Sequence, residues 1–193
     1  MRKILLLLLL LMAAPASAQI LSLDELSSYL NTMSTAKSNF TQINDDGSKS
    51  TGWVYIKRPG RIRFEYDPPY EGLVVVGGGQ VAIFDPKSNS EPLRFPLIQT
   101  PLSLVLEKTI DLARRDMVVA HKKKGEITFI VLQHPDYPEY GSIQLMFTDN
   151  PVQLRQWIVE DNSGNQTQIV LGDWVEGQKL SNILFNIQAE MQN

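Results

Sequence analysis

The chain has 193 residues, 43% of them hydrophobic, with 18 basic residues, 21 acidic ones and a net charge of −3. That length suits one domain with a core of its own, and the mild acidity gives no electrostatic pull toward nucleic acid or anionic lipid headgroups. No cysteine is present, which excludes disulfide staples and lipid anchoring through an N-terminal cysteine.

Arg2 and Lys3 precede an unbroken apolar run from Ile4 to Met12. Pro15 follows, then the small-residue site Ala16-Ser17-Ala18. This is the layout of a secretory signal peptide, and the run is too short for a bilayer span of about 20 residues. Cleavage is expected after Ala18, leaving residues 19–193 as a single domain. Without Arg2 and Lys3 the basic count falls from 18 to 16 against 21 acidic residues, a net charge of −5.

Ser22 and Glu25 form a capping-box pattern, and Leu23, Leu26, Leu30 and Met33 follow at helical spacing. This predicts an amphipathic N-terminal helix. After Lys37 the period becomes strand-like. Strands are expected over 40–43, 53–57 and 61–66, the last placing Ile62, Phe64 and Tyr66 on one face and Arg61, Arg63 and Glu65 on the other. Residues 73–76 and 80–84 form a hairpin across Gly77-Gly78-Gly79. Further strands are expected over 126–133, 142–148, 154–161, 166–174 and 180–187, a meander able to curl into a barrel or half-barrel. Residues 95–112 break this rhythm. Thr100 can cap a helix with Pro101 at its first position, and the segment is too apolar to be solvated on all sides.

Candidate chemistry is sparse. His121 adjoins Lys122, Lys123 and Lys124 and reads as a solvated turn. His134-Pro135-Asp136 reads as a strand-end turn, and neither histidine has a partner or a zinc spacing. The glycine run lacks the lysine and helix of a phosphate loop. Glu65 points away from the apolar face, so it does not converge with Asp67 or Glu71 as paired carboxylates. The apolar surplus fits an ordinary core and a ligand cavity equally well.

A more specific signal lies in the order of short motifs. Phe40-x-Gln42 is followed by Gly52-x-Val54-x-Ile56-Lys57-Arg58-Pro59 and then Arg63-Phe64-x-Tyr66-x-x-Pro69. A valine strand, a glycine turn, Phe84-Asp85-Pro86 and Thr100-Pro101-Leu102 continue the series. In this order the sequence resembles the LolA-type outer-membrane lipoprotein carriers over nearly the whole mature chain. It departs from them at Ile62, where many members carry an aromatic, and in lacking Thr-Pro-Pro after Phe185.

The resemblance implies a mainly β fold: an unclosed antiparallel β-barrel with an N-terminal helix and a mid-chain helical lid over an apolar cavity. It implies a monomeric, non-enzymatic periplasmic carrier, with no cofactor and no metal. Such a carrier takes acylated lipoproteins from an ATP-driven Lol complex of the inner membrane and passes them to LolB, or directly to the outer membrane. On this reading Trp53, Tyr55, Ile62, Phe64, Tyr66, Leu145 and Phe147 line the acyl-chain cavity. Leu97, Ile98, Leu102, Val105 and Leu106 form the lid, and Arg58 latches it. Two other readings fit parts of the pattern. An RseB-like lipid sensor usually brings a second domain, for which this length leaves no room. A membrane barrel needs strands with an apolar outside and a polar inside.

Overall fold

The computed structural model describes residues 19–88, 90–113 and 116–192. The expected signal peptide, residues 1–18, lies outside the described residues. Helix α1 (Leu23–Thr32) begins with a complete capping box: Ser22 Oγ accepts the Glu25 N–H at 3.2 Å, and the Glu25 carboxylate accepts the Ser22 N–H at 2.8 Å. Its Leu26 and Leu30 are buried.

Twelve strands follow. They are β1 (Thr35–Asn44), β2 (Lys49–Lys57), β3 (Ile62–Tyr66), β4 (Leu73–Gly77), β5 (Gln80–Phe84) and β6 (Leu93–Pro96), then β7 (Val118–Lys124), β8 (Ile127–Gln133), β9 (Ser142–Thr148), β10 (Gln153–Glu160), β11 (Gln166–Leu171) and β12 (Val175–Glu176). Neighbours pair antiparallel in the order β6-β5-β4-β3-β2-β1-β11-β10-β9-β8-β7, with β12 beside β1 beyond the end of β11. The sheet ends at β6 and β7, so the barrel is unclosed.

Alternation decides which way each strand faces. Buried and half-buried residues alternate without a break along β8 and β9. The buried set joins Phe40, Val54 and Phe64 from the far side of the sheet in one core with α1. Tyr29 of α1 ties helix to sheet. Its hydroxyl accepts the Leu154 N–H at 3.0 Å, and its ring meets Phe147 edge-on at 6.0 Å.

Three sequence expectations are corrected. His121 to Lys124 form not a turn but the second half of edge strand β7, where the lysines and a bulge between Val118 and Ala120 blunt an open edge. The mid-chain helix is a single turn, α2 (Leu102–Val105), preceded by β6 and a 3₁₀ turn at Leu97–Gln99. Pro101, not Thr100, is its N-cap, because the Thr100 hydroxyl turns back to donate to the Leu97 carbonyl at 2.8 Å.

The segment expected to form a strand over 180–187 instead makes a 3₁₀ turn at Asn182–Phe185 and helix α3 (Ile187–Glu190), capped by Ser181 and Asn186. These pack on the convex face, where Ile187 forms a small second core with Val75 and Ala82. Arg63 anchors them, donating to the Leu184 carbonyl at 3.0 Å and to the carboxylates of Glu190 at 2.7 Å and Glu65 at 2.6 Å. Burial pulls the Arg63 guanidinium down, but these carboxylate partners outweigh it and the net shift is upward. Gly77 is required here: a Cβ would lie 2.0 Å from the Phe185 carbonyl oxygen.

Candidate functional site

Helix α1 and residues 97–112 together cover one end of the concave face. Beneath them lies an apolar cavity of about 40 Å³, enough for a few water-sized groups. Ile56 and Ile62 wall it from β2 and β3, Ile143, Leu145, Leu154 and Trp157 from β9 and β10, and Leu30, Met33, Leu102, Val105, Leu106 and Ile110 from the cover. Among the described residues Arg58 is the one charged residue on its lining.

Arg58 stands in the turn between β2 and β3, beside the C-terminal end of α1. The last carbonyls of a helix lack partners within it and carry partial negative charge. The guanidinium takes up two such carbonyls, Leu30 through Nη2 and Met33 through Nε at 3.3 Å, and reaches the Glu107 carbonyl through Nη1 at 3.5 Å. A planar fork of donors suits three carbonyls that diverge in this way. Burial pushes its pKa down from the ordinary arginine value. Gly60, at φ +69, adds a fourth link, its N–H donating to the Leu106 carbonyl at 2.8 Å.

The two halves of the cover are also joined to each other. Asn31 pairs reciprocally with the Ile110 backbone, its amide donating to the carbonyl at 2.8 Å and accepting the N–H at 2.9 Å. The Ser27 hydroxyl accepts the Leu112 N–H at 2.9 Å. Neither Gly60 nor Asn31 stood out in the sequence. Gly60 is one residue of the turn after β2 and Asn31 stands among the polar residues of α1, and no motif sets either apart.

Of the residues singled out from sequence, Ile62, Leu145, Leu102, Val105, Leu106 and Arg58 come together around this cavity. Phe64 and Phe147 lie on the same face but deeper in the core; Phe64 packs edge-on against Phe40 at 5.5 Å and Trp157 at 6.2 Å. Tyr66 sits toward the opposite end of the concavity, bonded to Gln42 at 2.6 Å, and burial pushes its hydroxyl well above the ordinary tyrosine pKa.

Trp53 and Tyr55 are corrected. Register places them opposite Glu65 and Arg63, on the convex face, with Lys37 Nζ 4.1 Å over the Trp53 ring and 5.0 Å from the Tyr55 ring. The inward residues of β2 are Val54 and Ile56. Ile98 is likewise outward and exposed, whereas Leu97 is buried.

A profile of the family described as "Outer membrane lipoprotein carrier protein LolA" matches residues 31–188. The chain belongs to the LolA family. A protein named outer-membrane lipoprotein carrier protein from Azotobacter vinelandii is 27% identical over 185 residues, covering 91% of this chain and 88% of its own. One of the same name from Legionella pneumophila strain Paris is 28% identical over 195 residues, covering 97% and 95%. Among solved structures, a DUF1329 family protein from Desulfovibrio piger is similar, with a TM-score of 0.51, 11% identity and coverage of 86% of this chain and 95% of that one. This last likeness concerns the fold alone. The LolA match takes in Arg58 and residues 97–112 of the cover, together with the last two residues of α1.

Proposed function

We propose that this chain is a periplasmic carrier that shields the acyl chains of lipoproteins released from the inner membrane and delivers them to the outer membrane. The observation that supports it is an apolar cavity at the end of a half-barrel, closed by a cover that Arg58 and Gly60 hold through a few backbone hydrogen bonds. The names of the relatives point the same way.

Energetics define what such a carrier must do. Each buried methylene is worth about 0.8 kcal/mol, so two or three long chains hold a lipoprotein in a membrane by tens of kcal/mol. Non-covalent affinities saturate near about 20 kcal/mol, so affinity alone does not extract this cargo. An energy-consuming inner-membrane complex loads the carrier, and the carrier must only shield the chains and let them go.

An empty cavity that stays nearly shut serves release. The cover fills the space in the empty state, cargo displaces it, and Arg58 draws it closed again as cargo leaves for LolB or the outer membrane itself. No catalysis and no cofactor enter this reading, and the carrier works as a monomer after residues 1–18 are removed.

Incubating the purified protein with spheroplasts tests it. Lipoproteins are expected in the soluble fraction in amounts that track added protein, and Arg58→Leu is expected to load but to fail in handing over to outer-membrane vesicles. Recovery of no lipoprotein with the wild-type chain refutes the carrier role; normal delivery by Arg58→Leu refutes the latch.

A further inference from the structure

The cavity under the cover is not the whole of the concave face. Leu102 also borders an open groove of about 780 Å³, walled by Val74, Ile83 and Phe95 on one side and by Val159 and Thr167 on the other. Val74 and Ile83 in turn border a recess of about 330 Å³ that ends at Tyr66, Gln42 and Asn44. One path therefore runs from the covered cavity, past Leu102, along an apolar wall to a polar end.

That polar end is made of neutral groups. The Tyr66 hydroxyl donates to Gln42 Oε1 at 2.6 Å, Gln42 Nε2 donates to Asn44 Oδ1 at 2.7 Å, and Asn44 Nδ2 donates to Ser48 Oγ at 2.9 Å. Each amide nitrogen carries two hydrogens, so Gln42 and Asn44 each keep one N–H for a ligand carbonyl. Among the described residues no lysine, arginine or histidine lines the groove or the recess. The one charge on their lining is Asp161, and it is negative. Its carboxylate accepts the N–H groups of Ser163 at 2.8 Å and Asn165 at 3.0 Å and the Asn165 side-chain amide at 3.0 Å. The Asn165 side-chain bond comes first among the causes that hold it below the usual aspartate range, so it is ionised at neutral pH.

The hydrocarbon tails of a lipoprotein and of a membrane phospholipid are the same, so an apolar cavity does not tell them apart. Their heads differ: an acylated cysteine presents uncharged ester and amide carbonyls, a phospholipid presents a phosphate. We propose that the polar end of this groove is a head-selecting subsite that accepts neutral, ester- or amide-linked heads and disfavours phosphate. Gln42 and Asn44 donate to the carbonyls, and Asp161 repels the anion where no cation offsets it. The proposal rests on the acyl-carrier reading and adds to it which lipids are kept out.

Dioctanoylglycerol and dioctanoyl phosphatidic acid carry identical chains and differ by the phosphate. Each is competed against the uncharged dye Nile red bound to the purified protein. The glyceride is expected to displace the dye at a concentration at least about fivefold lower, the scale set by one like-charge contact at a solvent-facing site. The gap is expected to narrow in Asp161→Asn, which keeps the shape of the turn. It is expected to close or invert in Thr167→Lys, which puts a cation in the groove. Equal displacement by the two lipids, or a gap unchanged in both variants, overturns the subsite and leaves the carrier reading intact. Failure of both lipids to displace the dye overturns the carrier reading and the subsite together.

Discussion

Replacing Arg58 with leucine measures how firmly the cover is held. The variant keeps an apolar stem beside Leu30 and Met33 and removes all three guanidinium bonds. The bond to the Leu30 carbonyl is the close one, while those to Met33 at 3.3 Å and Glu107 at 3.5 Å are long. A hydrogen bond from a charged group contributes about 1.5–3 kcal/mol net. One such bond at full strength and two at a fraction of it give about 2–3 kcal/mol in favour of closure. Since about 1.4 kcal/mol is a factor of ten, the open population rises roughly 30- to 140-fold. Amide hydrogen exchange reads this directly, because the Gly60 N–H is bonded to the Leu106 carbonyl and the Leu106 N–H to the Leu102 carbonyl. Exchange at Gly60 and Leu106 is expected to accelerate by that factor, with no comparable change at Ile130 or Leu145 in the β8–β9 ladder. Unchanged exchange at Gly60 and Leu106, or equal acceleration in β8 and β9, refutes a local latch.

Other perturbations test the remaining parts. Asn31→Ala leaves the N–H of Ile110, a residue 1% exposed, without its partner, and a loss of about 1–3 kcal/mol is expected in a urea titration. Leu145→Ala opens a hole at a fully buried position and should cost about 2–5 kcal/mol. By contrast Trp53→Ala, on the convex face, should change stability by less than about 1 kcal/mol and leave Nile red binding unaltered; weakened dye binding would return Trp53 to the cavity. Glu25 has its pKa lowered, first by the Ser22 side-chain hydrogen bond and then by the Ser22 backbone N–H. Its contribution is therefore present above the ordinary glutamate range and is lost as pH falls through the folded-state value. Amide exchange at the start of α1, corrected for intrinsic rates, should quicken in acid in the wild type, and Glu25→Gln should lose that dependence.

Local patterns carried far in reading this chain. The capping box located the start of α1, and Ile143, Leu145 and Phe147 at every second position of 142–148 gave both the existence and the facing of β9, although Met146 on the other face is also apolar. Where two phases of one strand were both apolar, pattern gave no decision. In β2, Trp53 and Tyr55 compete with Val54 and Ile56, and only pairing with β3 settles which set turns inward. The lysines of β7 masked a strand because an edge needs charge for reasons unrelated to its backbone. Residues 180–187 have the apolar content of a strand without its alternation, and Ser181 and Asn186 cap short helical turns that a period-2 search passes over. In the site, Arg58 was legible as part of a motif. Asn31 was not, because its partner is backbone 79 positions away and backbone leaves no mark in side-chain chemistry.

The gap between β6 and β7 has a further consequence. In a closed barrel, strand number and shear fix the bore, and the lumen has one size. A sheet that stops short of itself is free of that rule, so its width is adjustable. The clamp of α3 on the outside braces β3 to β5, and inside Phe64 of β3 meets Trp157 of β10 edge-on, with the cover completing the contact between the walls. A shift of the cover is therefore expected to change the calibre of the vessel as well as its access.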